Sequence, residues 1–459
     1  MENEKISSQK REIPREKTLK ILKIHRKSSV YTICTFFIVL FLVAVIALIP
    51  ALRPKYSESE KRNLAEFPKI TLGSLTSGRF FDEMNLWYSD TFPFRDQLVE
   101  FNSFFTGAID TGNVEVHGEI EKADEIPDIV APGETTVPPI IEPPKIEEPK
   151  GPAVEKLGAI LVVDNAAYEY YNFNKNVSEA YAAYINRAAL ALKDKANVYD
   201  IIVPTSMAIT APLDKIGEVS TSDQKMAIDY MYSLMSEDVK KVELYDTLMA
   251  HRDEYIYFRT DHHWTAKGAY YAYFNYMCTK GGVPAQLSSF VEKQFPGYLG
   301  SFYSASQKSP KLAETPDTVY AYEPKHNQMT LYYEDGTVKQ TTIIADGNQI
   351  GTTSKYMSFI HGDKPLGIMT NPEITDGSTC VVVKESFGNA FVPFLTQNYG
   401  TVYVIDYRYF SKIDGRNLTK FVEDVNAQDV IFINNISATR NNALVTAIGD
   451  LVGEIPQTK

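Results

Sequence analysis

Between positions 259 and 265 the chain reads Arg-Thr-Asp-His-His-Trp-Thr, which sets two of its seven histidines and one of its two tryptophans beside the carboxylate of Asp261. In an extended segment alternate side chains share a side, so Asp261 and His263 form the natural carboxylate and imidazole pair while His262 faces the other way. A carboxylate that fixes the tautomer of an imidazole makes His263 a general base. The nucleophile it needs is offered by Ser386, which follows the apolar run from Thr379 to Val383 and precedes Gly388 and a helix pattern. A hydroxyl at the carboxyl end of a parallel strand is exposed at the sheet edge, and a serine becomes a competent nucleophile once an imidazole takes its proton. Asp261, His263 and Ser386 therefore specify acyl transfer through an acyl-serine, whose oxyanion needs fixed donors. Candidates are the backbone N–H groups of Ser386 and of the helix start, with a side chain from Arg408 or Asn434 at two later strand ends. Gly388, Tyr407 and His262 complete the set of oxyanion or substrate-binding candidates.

Plainer roles exist for each of these groups. A serine after a strand is commonly a helix N-cap. Asp261, His262 and His263 could instead ligate a metal, although no second His or Cys pair stands at ligand spacing elsewhere in the chain. Trp264 suits a core residue that locks the motif better than a sugar platform.

The elements that must position these groups are legible from periodicity. Thr265 is a plausible N-cap for the run Ala266, Ala269, Tyr270, Tyr273, Phe274 and Met277, whose spacing predicts a helix with one buried face. At its N-terminus the helix dipole disfavours an imidazolium and keeps His263 neutral enough to act as a base. Upstream, Ala159 to Val163, Val198 to Val203 and Val239 to Tyr245 read as strands. They alternate with helices around Tyr181 to Leu192 and Asp223 to Met235. Downstream strands run from Thr379 to Val383, Val402 to Ile405 and Val430 to Ile433. The alternation predicts an α/β domain over 158–459, a parallel sheet with helices on both faces, and a ligand crevice where the strands end in polar groups. Residues 296–372 break the rhythm with short β-rich runs, Thr318 to Tyr322, Met329 to Tyr333 and Val338 to Ile344, and a hairpin signal at Glu334-Asp335-Gly336. They predict a small antiparallel insertion that either closes over the cleft or decorates it.

The amino-terminal third is different in kind. The first 29 residues carry nine Lys or Arg against four Glu, which leaves the rest of a chain of net charge −12 near −17. So acidic a body argues against nucleic acid as a partner. Residues 30–52 carry no charge and span roughly 34 Å as a helix, a bilayer's thickness. With Lys20, Lys23, Arg26 and Lys27 ahead of it, this run predicts one uncleaved transmembrane helix, a cytoplasmic tail over 1–29 and an extracytoplasmic body. Residues 53–116 read as a membrane-proximal helical segment packed on the body, with Asp90 and Arg95 as a local ion pair. Residues 117–157, rich in Pro and Glu, read as an extended linker or loop. The three cysteines, Cys34, Cys278 and Cys380, suggest free buried thiols, with a Cys278 to Cys380 bridge as the alternative.

The string from Thr260 to Thr265 resembles the signature of the DHHW family of membrane-anchored extracytoplasmic bacterial proteins. That family is in turn similar to the SGNH-like acetyltransferase domains of alginate O-acetylation proteins, which carry Thr-Asp-x-His-Trp and, later, a strand ending in x-Ser-Phe or x-Ser-Tyr. Glu60, Arg62, Asn63, Leu64 and Pro68, with Asp90 and Arg95, resemble the family's amino-terminal region. The resemblance implies a flavodoxin-like SGNH fold with circularly permuted blocks, in which Asp261 orients, His263 is the base and Ser386 is acylated. It implies an O-acetyltransferase or esterase acting on a cell-envelope or exported polysaccharide, needing no cofactor. As a transferase it would depend on a membrane-bound O-acyltransferase-type partner that passes acetyl groups across the bilayer. A non-catalytic carbohydrate-binding or assembly scaffold with an SGNH-like shell is the alternative. One departure stands out: the usual Gly-Asp-Ser lead-in is Lys384-Glu385-Ser386 here.

Overall fold

The computed structural model describes residues 31, 34–38, 41, 49, 52–57, 62–71, 73, 79–95, 97, 114–129, 139–147, 149, 152–212 and 220–454. The charge-free run 30–52 lies mostly outside these residues. Among those described, no helix is long and apolar enough to cross a membrane.

The body is a mixed α/β fold built on one eight-stranded sheet. Its strands are β1 (Asn197–Val203), β2 (Val239–Lys241), β3 (Met329–Tyr332), β4 (Val338–Thr341), β5 (Leu366–Thr370), β6 (Thr379–Lys384), β7 (Thr401–Asp406) and β8 (Asp429–Asn435). They lie in the order β4-β3-β5-β7-β6-β8-β1-β2. The neighbours β7, β6, β8, β1 and β2 run parallel, so their carboxyl ends share one edge. Alternation along β1 sends Tyr199, Ile201 and Val203 to one core and Val198 and Ile202 to the other. Both faces are thus buried, as near-continuous apolar strands require. On one face pack α3 (Ala266–Lys280) and α4 (Gly388–Leu395). The other face holds α1 (Lys175–Ala191), α2 (Gln224–Ser233), α5 (Leu418–Asp424) and α6 (Asn442–Val452).

Four expectations need correction. Ile160–Val163 does not join the parallel sheet. Asp164, at φ 52°, turns the chain back at once, and the strand pairs antiparallel with Ala166–Glu169 and with Val114–His117. The run from Val239 to Tyr245 keeps only three residues in β2, because a helix, Tyr245–Ala250, begins at its end. The insertion over 296–372 pairs antiparallel as its runs suggest, but part of it joins the core: β3 and β4 extend the main sheet through β5, which runs antiparallel to β7. The open edge of a sheet supplies the backbone partners that short inserted strands lack. Only Asp317–Glu323 pairs elsewhere, with Val291–Tyr298. The cysteines are free, but Cys380 alone is buried; Cys278 and Cys34 are exposed.

The described residues between 118 and 157 carry no helix or strand, as their prolines dictate, yet they bind the body closely. Asp124 N–H donates to Phe173 O at 2.9 Å, and Asn186 and Arg187 of α1 donate to the carbonyls of Ile140 and Ile141 at 2.7 and 2.9 Å. Residues 1–101 form a compact unit of their own. In it the helix Arg79–Asp90 sets Trp87 against Phe67, with centroids 4.8 Å apart, and under the Arg53 guanidinium at 3.8 Å. Asp90 accepts the Ala65 N–H at 2.8 Å.

Candidate active site

The loop from Arg259 to His263 is held by a buried carboxylate from the insertion. Asp317 accepts the N–H of Thr260 at 2.8 Å and its hydroxyl at 2.6 Å. Trp264, fully buried, donates its indole N–H to Phe387 O at 2.9 Å, which ties this loop to the strand end that carries Ser386. Thr265 caps α3 by accepting the Gly268 N–H.

Asp261, His263 and Ser386 meet across 123 positions of sequence. His263 Nδ1 lies 2.5 Å from Asp261 Oδ1, and Nε2 lies 2.5 Å from Ser386 Oγ. A carboxylate only accepts, so the ring proton sits on Nδ1 and Nε2 is left to receive the hydroxyl proton. Asp261 also accepts the Ser301 N–H at 2.8 Å. Burial opposes ionisation of Asp261, but His263, its hydrogen bond and His262 outweigh burial and hold the carboxyl below the usual range. Burial, reinforced by the neighbouring His262 charge, pushes His263 below an ordinary imidazole and keeps it a neutral base. The Tyr356 ring stacks on His263 with centroids 3.8 Å apart, and its hydroxyl donates to Ser386 O at 3.0 Å. The insertion thus walls the site.

His262 does not face away. The loop bends where His263 N–H donates back to Asp261 Oδ1 at 3.0 Å, so strand alternation does not apply. The two imidazoles lie with centroids 3.8 Å apart. His262 Nδ1 meets Ser301 Oγ at 2.6 Å, and Nε2 lies 3.5 Å from a carboxylate absent from the sequence expectations, Glu155. Burial pulls His262 down, but Glu155 and Asp261 together hold it up at about 9.

Glu155 comes from the segment read as a linker. Its Oε1 accepts the Ser386 N–H at 2.8 Å and Arg408 Nη1 at 2.6 Å, and its Oε2 accepts the Ser386 hydroxyl. Two of the expected oxyanion donors therefore converge on one point. Burial would raise the Glu155 carboxyl, but Arg408 and then His262 hold it well below the ordinary range. No local pattern marks Glu155 among the many acidic residues around it.

The remaining candidates lie deeper. Asn434 accepts from the Tyr407 hydroxyl at 2.9 Å and donates to Tyr181 at 3.3 Å, so neither Asn434 nor Tyr407 points a donor at Ser386. Gly388 serves packing, since a Cβ there would stand 2.5 Å from Lys384 Cβ. Lys384 is fully buried between Asp406 and Asp363, at 2.8 and 2.9 Å, and does not add charge at the nucleophile. Glu385 accepts the N–H groups of Phe387 and Asn435 at 2.9 and 2.8 Å. Burial and the nearby Glu155 push its carboxyl well above the usual range. Glu155, His262 and His263 could by spacing also hold a metal ion, but Nε2 of His263 is engaged with Ser386.

The profile of the family described as DHHW protein matches residues 60–134 and 129–405. A crystal structure of a DHHW family protein from Eubacterium siraeum DSM 15702 is similar with a TM-score of 0.56 at 25% identity, over 63% of this chain and 94% of that one. Bacillus cereus PatB1, solved with a sulfonyl adduct, gives 0.53 at 21% identity over 62% of this chain and 97% of its own. The O-acetyltransferase domain of Pseudomonas putida AlgJ gives 0.38 at 12% identity, over 62% and 96%. No curated protein sequence matches the chain.

Proposed function

The chain belongs to the DHHW family, and on that footing we propose that it is an O-acetyltransferase or esterase of cell-envelope or exported polysaccharide, working through an acyl-Ser386 intermediate. The single observation that carries this reading is the contact of His263 Nε2 with Ser386 Oγ at 2.5 Å, backed by Asp261 on the far side of the ring. We read the five parallel strands as a flavodoxin-like SGNH shell with permuted blocks, anchored by residues 30–52 with its body outside the cell.

In the proposed reaction Ser386 Oγ attacks the acyl carbonyl carbon as its proton passes to His263 Nε2. The carbonyl oxygen gains the electron pair and takes donors from Ser386 N–H and Arg408, which already converge at 2.8 and 2.6 Å on one oxygen. Once that Glu155 oxygen gives way to the substrate's, donors so placed stabilise the oxyanion. Collapse expels the leaving oxygen, which recovers the proton from His263. A sugar hydroxyl or a water then attacks acyl-Ser386 by the same steps and carries the acyl group away. As a transferase the protein would receive acetyl groups from a membrane-bound O-acyltransferase-type partner.

Hydrolysis of a small aryl acetate tests this. Ser386→Ala and His263→Ala are expected to abolish turnover, with His262→Ala retaining much more. Wild-type turnover in all three would sink the assignment. A second reading, a non-catalytic polysaccharide-binding scaffold, draws on the one feature out of place for catalysis, the carboxylate of Glu155 against the nucleophile. It predicts polysaccharide binding that survives Ser386→Ala, and no covalent labelling of Ser386.

A further inference from the structure

The seat an oxyanion would take is filled by the chain itself. Ser386 N–H and Arg408 Nη1 point at Glu155 Oε1 from 2.8 and 2.6 Å, about the distances such donors keep from an oxyanion. The other carboxylate oxygen accepts the hydroxyl of Ser386, in competition with His263 Nε2 for its one proton. A carboxylate with one oxygen on the donors and the other on the nucleophile has the shape of the acid that leaves when an acyl-serine is hydrolysed. The cleft beside it is lined by Glu155, His262, Asn435 and Ser437.

Charge balance separates this carboxylate from an ordinary structural partner. Arg408 is already paired with Asp406 through Nε and Nη2, at 2.8 and 2.6 Å, and reaches Asp363 at 3.1 Å. Lys384 shares the same two aspartates. Lys384 and Arg408, both buried, thus share buried Asp406 and part-exposed Asp363 before Glu155 adds a further carboxylate, which faces Arg408 at 2.6 Å and His262 at 3.5 Å. Withdrawing Glu155 leaves no fixed buried charge unmatched, because His262 can release its proton. The carboxylate arrives from outside the sheet, on residues 152–157, which carry no helix or strand. Its neighbours are tied down by Asn441 Nδ2 on Val154 O at 3.3 Å and by Gly158 N–H on Glu169 at 2.8 Å.

We propose that Glu155 is an internal carboxylate ligand that occludes the oxyanion seat, and that the vacated seat binds a free small carboxylate of the acetate class. The proposal rests on the reading of Ser386 as nucleophile. The test compares the full-length protein with Glu155→Ala. Both are treated with phenylmethylsulfonyl fluoride, and modification of Ser386 is followed by peptide mass spectrometry with and without millimolar acetate. The variant is expected to be labelled at least about tenfold faster, with acetate slowing it in the variant only. Labelling of both proteins at equal rates, or faster in the wild type, overturns occlusion and makes Glu155 a supporting part of the site. A variant insensitive to acetate overturns the seat. Absence of label in either protein defeats the nucleophile reading and this proposal with it. Glu155→Gln, which keeps the volume and one acceptor, covers failure of the alanine variant to fold and is expected to lie between the two.

Discussion

Asp261 and Glu155 both set a carboxylate against the triad, and they are held in opposite ways. Asp261 takes the His263 ring, the His263 N–H and the Ser301 N–H. Its loop is pinned by Asp317 and by Trp264, and Gly300 crosses so close that a Cβ there would stand 2.3 Å from Asp261 Oδ2. Glu155 has neither a strand nor a helix beneath it and owes its place to Ser386, Arg408 and His262. A group over-determined by its surroundings is part of the machinery. A group held mainly by the donors it satisfies can be exchanged for another ligand of those donors.

Equal chemistry at the two carboxylates should therefore give opposite results. Asp261→Asn keeps the shape but lets the amide donate where only an acceptor fixes the tautomer, and kcat should fall by roughly 10⁴-fold. Glu155→Gln should raise turnover on the same aryl acetate. A fall at both positions would erase the distinction. Gly300→Ala sharpens it without touching either carboxylate. The added methyl must push Asp261 aside, and a displacement near 1 Å costs about 10²-fold. Steady-state rates with an unchanged thermal midpoint would separate this from unfolding.

The same contrast explains what could be foreseen from sequence. Asp261, His263 and Ser386 each adjoin an element with a strong local signal, the capped helix α3 or the apolar strand β6, so their meeting could be argued from spacing and topology. Arg408 follows β7 and was placed by the rule that ligands gather at strand ends. Alternation misplaces His262 because a two-residue hydrogen bond bends the loop, whereas a period of two holds only along an unbent strand. Ser301, Asp317 and Tyr356 come from an insertion without a core pattern of its own, and Glu155 from a stretch whose composition reads as solvated. Those four reach the site only through tertiary contacts, which no local pattern encodes. The sheet edge that captures β3 and β4 is hidden as well, because the five-residue run of β5, with Gly367 inside it, carries little strand signal of its own.

His262 stands between the two carboxylates and offers the finest probe. Burial disfavours its charge, yet Glu155 and Asp261 hold it at about 9, so it is a cation through the neutral range. That charge is one of the forces, after burial, that lower His263. The base works only when neutral, so activity rises as pH climbs through the His263 pKa. His262→Gln removes the repulsion while Asp261 keeps its attraction, and the His263 pKa must rise. The acid limb of kcat/KM should then move to higher pH, with a plateau changed far less than by Asp261→Asn. Glu155 keeps Arg408 but loses the second cation that faces it in the same variant, so sulfonyl labelling of Ser386 should quicken above the acid limb. A limb that stays put would mean that His262 is uncharged beside Glu155, and then the carboxylate in the seat would be held by Arg408 and the Ser386 N–H alone.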